Sequence, residues 1–199
     1  MVVFVLMVGC ARSYRGRWED LPTTVPSEGK LVLDAGGVPR LVFVVLDQVT
    51  DEKILDGYGL EVYLRPGLYQ VIVQTDLNDS IVISGVKVRA GQETHIQVPV
   101  GRFSILVFQD GKRVSTRFTV FDYGFDRVLK NDVSSTRVEH YVGRVGKYKV
   151  RVELRSASED GSANMGFSYQ VKEMEVKFGK MEAVHFQFGQ VGETGNSGG

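Results

Sequence analysis

A chain of 199 residues with 24 basic and 24 acidic side chains has no net field to draw in nucleic acid or an acidic surface. Its 43% hydrophobic content is enough for a core, and 23 glycines with few helix-type runs favour strands. A single cysteine excludes an internal disulfide and any zinc site built on paired cysteines, and no run approaches the roughly 18 apolar residues of a membrane-spanning helix.

That cysteine closes the first stretch, Met1-Val-Val-Phe-Val-Leu-Met-Val-Gly9-Cys10. The ending Val8-Gly9-Cys10 resembles a bacterial lipobox, whose cysteine is acylated and becomes the mature N-terminus, with Met7 where a leucine is usual. The resemblance implies that residues 1–10 are a truncated lipoprotein signal and Cys10 the lipid attachment site. The chain would then be held to a membrane by an N-terminal lipid, in the cell envelope, periplasmic or at the cell surface. Arg12, Arg15 and Arg17 oppose translocation, and the competing expectation is a buried first strand with an inert cysteine.

From Ala11 to Lys30 apolar periodicity is absent and Pro22, Pro26, Ser27 and Gly29 accumulate, as in a polar tether. The only tryptophan, Trp18, falls there, either tucked against the first folded unit or anchoring a partner or membrane interface.

The first unit, residues 31–101, opens with Leu31–Leu33 and continues through Leu41–Asp47, a polar loop over Gln48–Asp56, and Leu60–Leu64. A turn at Arg65-Pro66-Gly67 feeds the strand Tyr69–Val73, and Ile81–Ile83 follows. Val86/Val88/Ala90 and Ile96/Val98/Val100 alternate at period two about Gly91, which predicts a hairpin with one wet face. The second unit, residues 102–189, repeats this order. Asp110-Gly111 predicts a tight turn with positive φ, Arg117–Asp122 matches Leu41–Asp47, and Gly146–Val152 matches Gly67–Val73. Met174/Val176/Phe178 and Val184/Phe186/Phe188 then return about Gly179 as a second hairpin. Both copies slip parity by one, at Ser84-Gly85 and at Lys172-Glu173, which predicts a shared β-bulge. The loops Tyr123–Val142 and Glu153–Gly166 are longer than their counterparts, and the glycine-rich tail 190–199 is expected to be disordered.

The step Arg65-Pro66-Gly67-Leu-Tyr69-Gln-Val71, with Gly85-Val-Lys-Val and the Ala90-Gly91 turn, is similar to bacterial transthyretin-like sandwiches, the carboxypeptidase regulatory-like and PEGA-like modules. The second copy, Val145-Gly146-Lys-Tyr148-Lys-Val150, lacks the proline. The expectation is an all-β chain of two tandem transthyretin-like or immunoglobulin-like β-sandwich domains. The resemblance implies extracytoplasmic binding or spacer modules without catalysis.

No nucleophile elbow, zinc-protease motif or phosphate loop is present, and the expectation is a non-enzyme with no cofactor and no metal. His95 and His185 fall on the wet parity of their strands, and the clusters Asp47/Asp51/Glu52/Asp56, Asp76/Asn78/Asp79 and Glu159/Asp160 lack regular calcium-loop spacing and read as solvated turns. A divergent hydrolase would draw on Asp122 or His185. Phe118, Phe121, Tyr123 and Phe125 cannot all point inward from one strand. They are expected mainly to fill the joint between the domains, with Phe121, Tyr123, Phe125 and Tyr141 as possible partner or sugar contacts. The function expected is a protein-binding or scaffolding envelope lipoprotein, with a carbohydrate-binding module as the alternative; the partner is a protein or a cell-surface polysaccharide, with no nucleic acid.

Overall fold

The computed structural model of the protein describes residues 27–156 and 166–189. Cys10, Trp18 and the tail 190–199 lie outside them, as do Glu159 and Asp160. Seven strands come first: β1 Gly29–Asp34, β2 Leu41–Asp47, β3 Lys53–Gly59, β4 Glu61–Leu64, β5 Gly67–Gln74, β6 Ser80–Val88 and β7 Glu93–Gln97. Then follow β8 Val100–Gln109, β9 Lys112–Arg113, β10 Arg117–Asp122, β11 Val128–Val133, β12 Tyr141–Arg144, β13 Gly146–Ser156, β14 Gly166–Val176 and β15 Met181–Phe188.

These strands build two β-sandwiches of one topology. In the first, sheet A has the order β4-β1-β7 and sheet B the order β3-β2-β5-β6. In the second, sheet C has the order β12-β8-β15 and sheet D the order β11-β10-β13-β14, and the short β9 pairs with β8. Each sandwich opens on a strand (β1, β8) that takes an antiparallel neighbour on one side and the unit's last strand, parallel, on the other. Alternation puts one set of each strand inside: Tyr69, Val71 and Val73 of β5 and Tyr148, Val150 and Val152 of β13 are buried in their own cores. Asp110 and Gly111 have φ of 50° and 73°, as the tight turn between β8 and β9 requires.

Several expectations change on folding. The expected hairpins about Gly91 and Gly179 are arches instead: β6 lies in sheet B and β7 in sheet A, and β14 and β15 divide between sheets D and C in the same way. β6 takes the flank of β5 and β7 the parallel flank of β1, long-range pairings that alternation within each run does not report. The polar stretches expected to be loops contain strands. β3 begins inside Gln48–Asp56, β11 lies within Tyr123–Val142, and β12 begins at its end. β3 and β11 are sheet edges and β12 is four residues long, so all three carry little of the apolar signal that marks a central strand.

The bulge is present in one copy only. Tyr69 faces Val86 and Val71 faces Ile83, so Ser84 and Gly85 together oppose Gln70. Gly85 sits at φ 77° and its N–H donates to the Gln48 side chain at 2.5 Å. The place of Gly85 is taken in β14 by Glu173, whose Cβ disfavours that backbone region, and β13 and β14 pair without a break from Gly146↔Val176 to Ser156↔Gly166. A strand that keeps register where its twin slips by one turns its whole preceding stretch to the other face. In β6, Ile81 and Val86 are both inside. In β14, Met174 is inside while Val171 and Tyr169 are outside, 41% and 70% exposed.

The two sandwiches lock together. Leu77, from the loop after β5, is fully buried in the second core, and Val100 at the head of β8 belongs to the first. Asp76 N–H donates to the Val142 carbonyl at 2.8 Å, and Val142 N–H donates to Asp76 Oδ2 at 2.7 Å. Gly143 of β12 leaves room for Leu77: a Cβ there would stand 3.0 Å from Leu77 Cδ1.

Candidate functional site: the aromatic face of the second sandwich

The outward positions of sheet D form three rows across its strands. Phe121, Lys149 and Glu173 lie side by side, then Thr119, Arg151 and Val171, then Arg117, Glu153 and Tyr169. Phe118 and Val120 take the inward parity of β10 and enter the core. Phe121 therefore points outward, yet it is only 8% exposed because the turn after β10 folds back over it.

That turn is built on Asp122. Its Oδ1 accepts the N–H of Asp126 at 2.8 Å and of Arg127 at 3.2 Å, and Phe125 N–H donates to its carbonyl at 3.1 Å. Asp47 holds the equivalent turn of the first sandwich through the N–H groups of Val49 and Thr50. Those bonds, from Thr50 first and Val49 second, hold the Asp47 carboxyl below its usual range. Asp122 is thus a turn-forming residue.

Phe125 has φ of 65°. A bulky side chain is rare in that region, at a cost of about 1–2 kcal/mol. The ring packs on Phe121 at 4.8 Å between centroids and is 39% exposed, and Tyr123 beside it is 45% exposed. Cations lie over these rings. Lys149 Nζ is 4.6 Å from the Phe125 ring centre and 5.2 Å from that of Tyr123, and the Arg151 guanidinium is 5.3 Å from that of Phe121. Arg151 also pairs with Glu153 at 2.8 Å, and Tyr123 Oη donates to Glu173 at 3.3 Å. Next to Phe125 a shallow cleft of about 620 Å³ is walled by Arg151, Tyr169 and Val171.

The structure therefore brings Phe121, Tyr123 and Phe125 together on an outer face, where they take no part in the joint that the aromatics were expected to fill. The joint is made by Leu77, Asp76 and Val142. Tyr141 stands apart. Its ring stacks on Phe103 at 5.4 Å and meets Phe118 edge-on at 5.8 Å, and its hydroxyl donates to Glu139 at 2.9 Å. Burial, and then the Glu139 carboxylate, push its phenol well up. Tyr169 and Val171 were missed from sequence because a bulge at Lys172-Glu173 would have turned β14 the other way; Lys149 and Arg151 fall on the outward parity of β13, but nothing in the sequence set them beside the aromatics. The absence of a glycine at Lys172-Glu173 was the signal that could have found Tyr169 and Val171.

His95 and His185 are exposed, His185 lying flat on Phe108 at 6.1 Å. Among the described residues no three His, Cys, Asp or Glu side chains converge as for a metal ion, and no helix is long and apolar enough to cross a membrane.

No family model matches the chain, and no curated protein matches it. Among solved structures it is similar to the Bacillus anthracis TIE protein, with 13% identity, a TM-score of 0.34, and 81% of this chain and 34% of that one covered. The chain thus spans about a third of that protein's length. It is similar to a candidate adhesin from Bacteroides ovatus, with 11% identity, a TM-score of 0.33, and coverage of 84% and 93%. A candidate carbohydrate-binding protein from Bacteroides uniformis gives 9% identity, a TM-score of 0.27, and coverage of 75% and 99%. Scores of this size leave all three as likenesses only.

Proposed function

We propose that the chain is a non-enzymatic binding and spacer module of the bacterial cell envelope, held to the membrane by a lipid on Cys10, and that the outer face of sheet D contacts a protein partner. The observation that carries the contact is Phe125, an aromatic held at φ 65° over Phe121 beside Tyr123 and Tyr169. Backbone strain spent on presenting a ring to solvent is a feature of recognition sites. Aromatic side chains together with arginine are what the centres of protein interfaces are enriched in, and here charged groups surround a flat patch as an interface rim does.

A photo-crosslinking side chain at Tyr169, compared with one at Val49 on the first sandwich, tests the contact in cells of the source organism. Val49 is 81% exposed, so both positions meet solvent. The expected result is one product from position 169 that disappears with Phe125→Asn in the same chain and has no counterpart at 49. Identical products at both positions would remove the contact face. Intact mass against Cys10→Ser, in a bacterial host, checks the anchor separately: acyl mass on the wild type alone supports it, and two unprocessed chains sink it.

The second reading is a carbohydrate-binding face, favoured by the Tyr169 ring, 70% exposed beside the cleft. Retention on a glycan array that Tyr169→Ala abolishes would support it over the protein contact.

A further inference from the structure

The joint between the sandwiches holds a second cleft, of about 500 Å³, away from the sheet D face. The first sandwich supplies Arg40 and Tyr58 to its wall, and the second supplies Arg102 and His140. The Arg40 guanidinium lies 5.0 Å from the centre of the Tyr58 ring, which restricts its motion and leaves its N–H edge available. Neither Arg40 nor Arg102 belongs to an ion pair among the described residues. The carboxylate in the cleft is Asp76, and its Oδ2 is already engaged by the Val142 N–H at 2.7 Å. Two guanidiniums against one carboxylate leave one positive charge uncompensated among these three groups. The walls come from two bodies locked by Leu77 and by the Asp76–Val142 bonds, so the cleft is formed before any ligand arrives.

We propose that this cleft binds an acidic sugar residue, a hexuronate, through its carboxylate. One uncompensated positive charge suits a monoanion better than a dianionic phosphate, and a guanidinium fork can hold the carboxylate by two bonds. The volume lies in the usual range for small-molecule sites, which favour domain interfaces. Beside the cations, Gln74 and His140 offer hydrogen bonds to hydroxyls along the same wall. The site is independent of the sheet D face and stands or falls without it.

The test is calorimetric titration of the whole protein with galacturonate and its dimer, against galactose, inorganic phosphate and N-acetylglutamate amide. Galacturonate or its dimer should bind at least tenfold more tightly than galactose or either of the other anions. Arg102→Gln and Arg40→Gln should each weaken binding at least tenfold, while Lys112→Gln at the exposed β9, away from both clefts, leaves it unchanged. Arg40→Lys and Arg102→Lys, which keep the charge, should retain part of the binding should a glutamine variant fail to fold. Absence of galacturonate binding, or equal binding by both glutamine variants, overturns the proposal. So does tighter binding of phosphate, which would mark a general anion site, or of the glutamate amide, which would mark an acidic peptide.

Discussion

The Tyr148 hydroxyl donates to the Arg144 carbonyl at 2.7 Å, and the Tyr69 hydroxyl to the Arg65 carbonyl at the same distance. Each bond folds the entry turn of a central strand onto its own third residue, so the x-Gly-x-Tyr-x-Val step is a structural clamp. The step was legible in both copies though its hydroxyl bond was not, and the missing proline of the second costs it nothing in geometry. Removing one such hydroxyl from a mostly buried ring loses about 1 kcal/mol. Tyr148→Phe should therefore lower the melting temperature by about 2–4 °C for a chain of this size. Burial, and then the charge of Asp79, push the Tyr148 phenol up to about 12. An unfolded tyrosine ionises near pH 10, so above that the unfolded state sheds its proton first. Stability is then fully present below about pH 10 and is lost as pH rises towards about 12. Urea melts across that window should show the loss in wild type and a shallower one in Tyr148→Phe. An equally steep loss in the variant would assign the alkaline limit elsewhere. Phe125 was legible as an aromatic but not as a strained one, since φ depends on the turn that Asp122 folds. Asn tolerates that backbone, so Phe125→Asn should regain about 1–2 kcal/mol of strain against the ring contact it gives up. Denaturant titration should find it within about 1 kcal/mol of wild type, unlike the roughly 3–5 kcal/mol of a core phenylalanine truncation.

At the scale of the element, β6 and β14 show how one glycine decides a face. Apolar parity slips in both sequences, and the slip alone reads as a bulge in both. Only Gly85 can take φ 77° cheaply, so β6 bulges while β14 runs straight and accepts Val171 and Tyr169 outside. What the inner face of β14 gains in exchange is polar. Lys172 Nζ donates to the His185 carbonyl at 2.6 Å and Gln170 Nε2 to the Gln187 carbonyl at 2.7 Å. Those carbonyls belong to β15, an edge of sheet C, and an inward lysine over a bare edge discourages pairing with another chain. Edge strands such as β3 and β11 escape sequence reading for a related reason, because their outward residues have no core to match. Glu173→Gly should permit the bulge, with residues 172 and 173 together opposing Lys149, so that Val171 faces Val150 and Tyr169 turns inward. Nitration at Tyr169, read by peptide mass, should fall several-fold; unchanged nitration would mean that the register is set elsewhere along β13. Lys172→Val should leave the fold intact and promote dimers, visible by size-exclusion chromatography with light scattering.

The two sandwiches behave as one body because two elements belong to both cores. β8 starts with Val100 in the first core and continues with Phe103, Ile105 and Val107 in the second. Leu77 leaves the first sandwich and is fully buried in the second, against the space that Gly143 keeps open. The repeat itself could be read from residue order, but this exchange could not: Leu77 sits in a short polar loop, Asp76-Leu-Asn-Asp79, where nothing marks the destination of one leucine. A fixed joint is what a spacer needs, and it also fixes the distance between Arg40 and Arg102 across the cleft. Truncating a fully buried leucine costs about 2–5 kcal/mol, more where the surroundings cannot collapse. Leu77→Ala should therefore destabilise the second sandwich, although residue 77 follows a strand of the first. In hydrogen exchange, the lost protection should appear on β8, β12 and β13, more than on β5 and β6 that flank the substitution. A single calorimetric transition in wild type should broaden or divide in the variant, since the first core keeps all its own residues. If instead the loss is confined to β5 and β6, Leu77 is a local plug, and the rigidity of the pair rests on β8 and the Asp76–Val142 bonds.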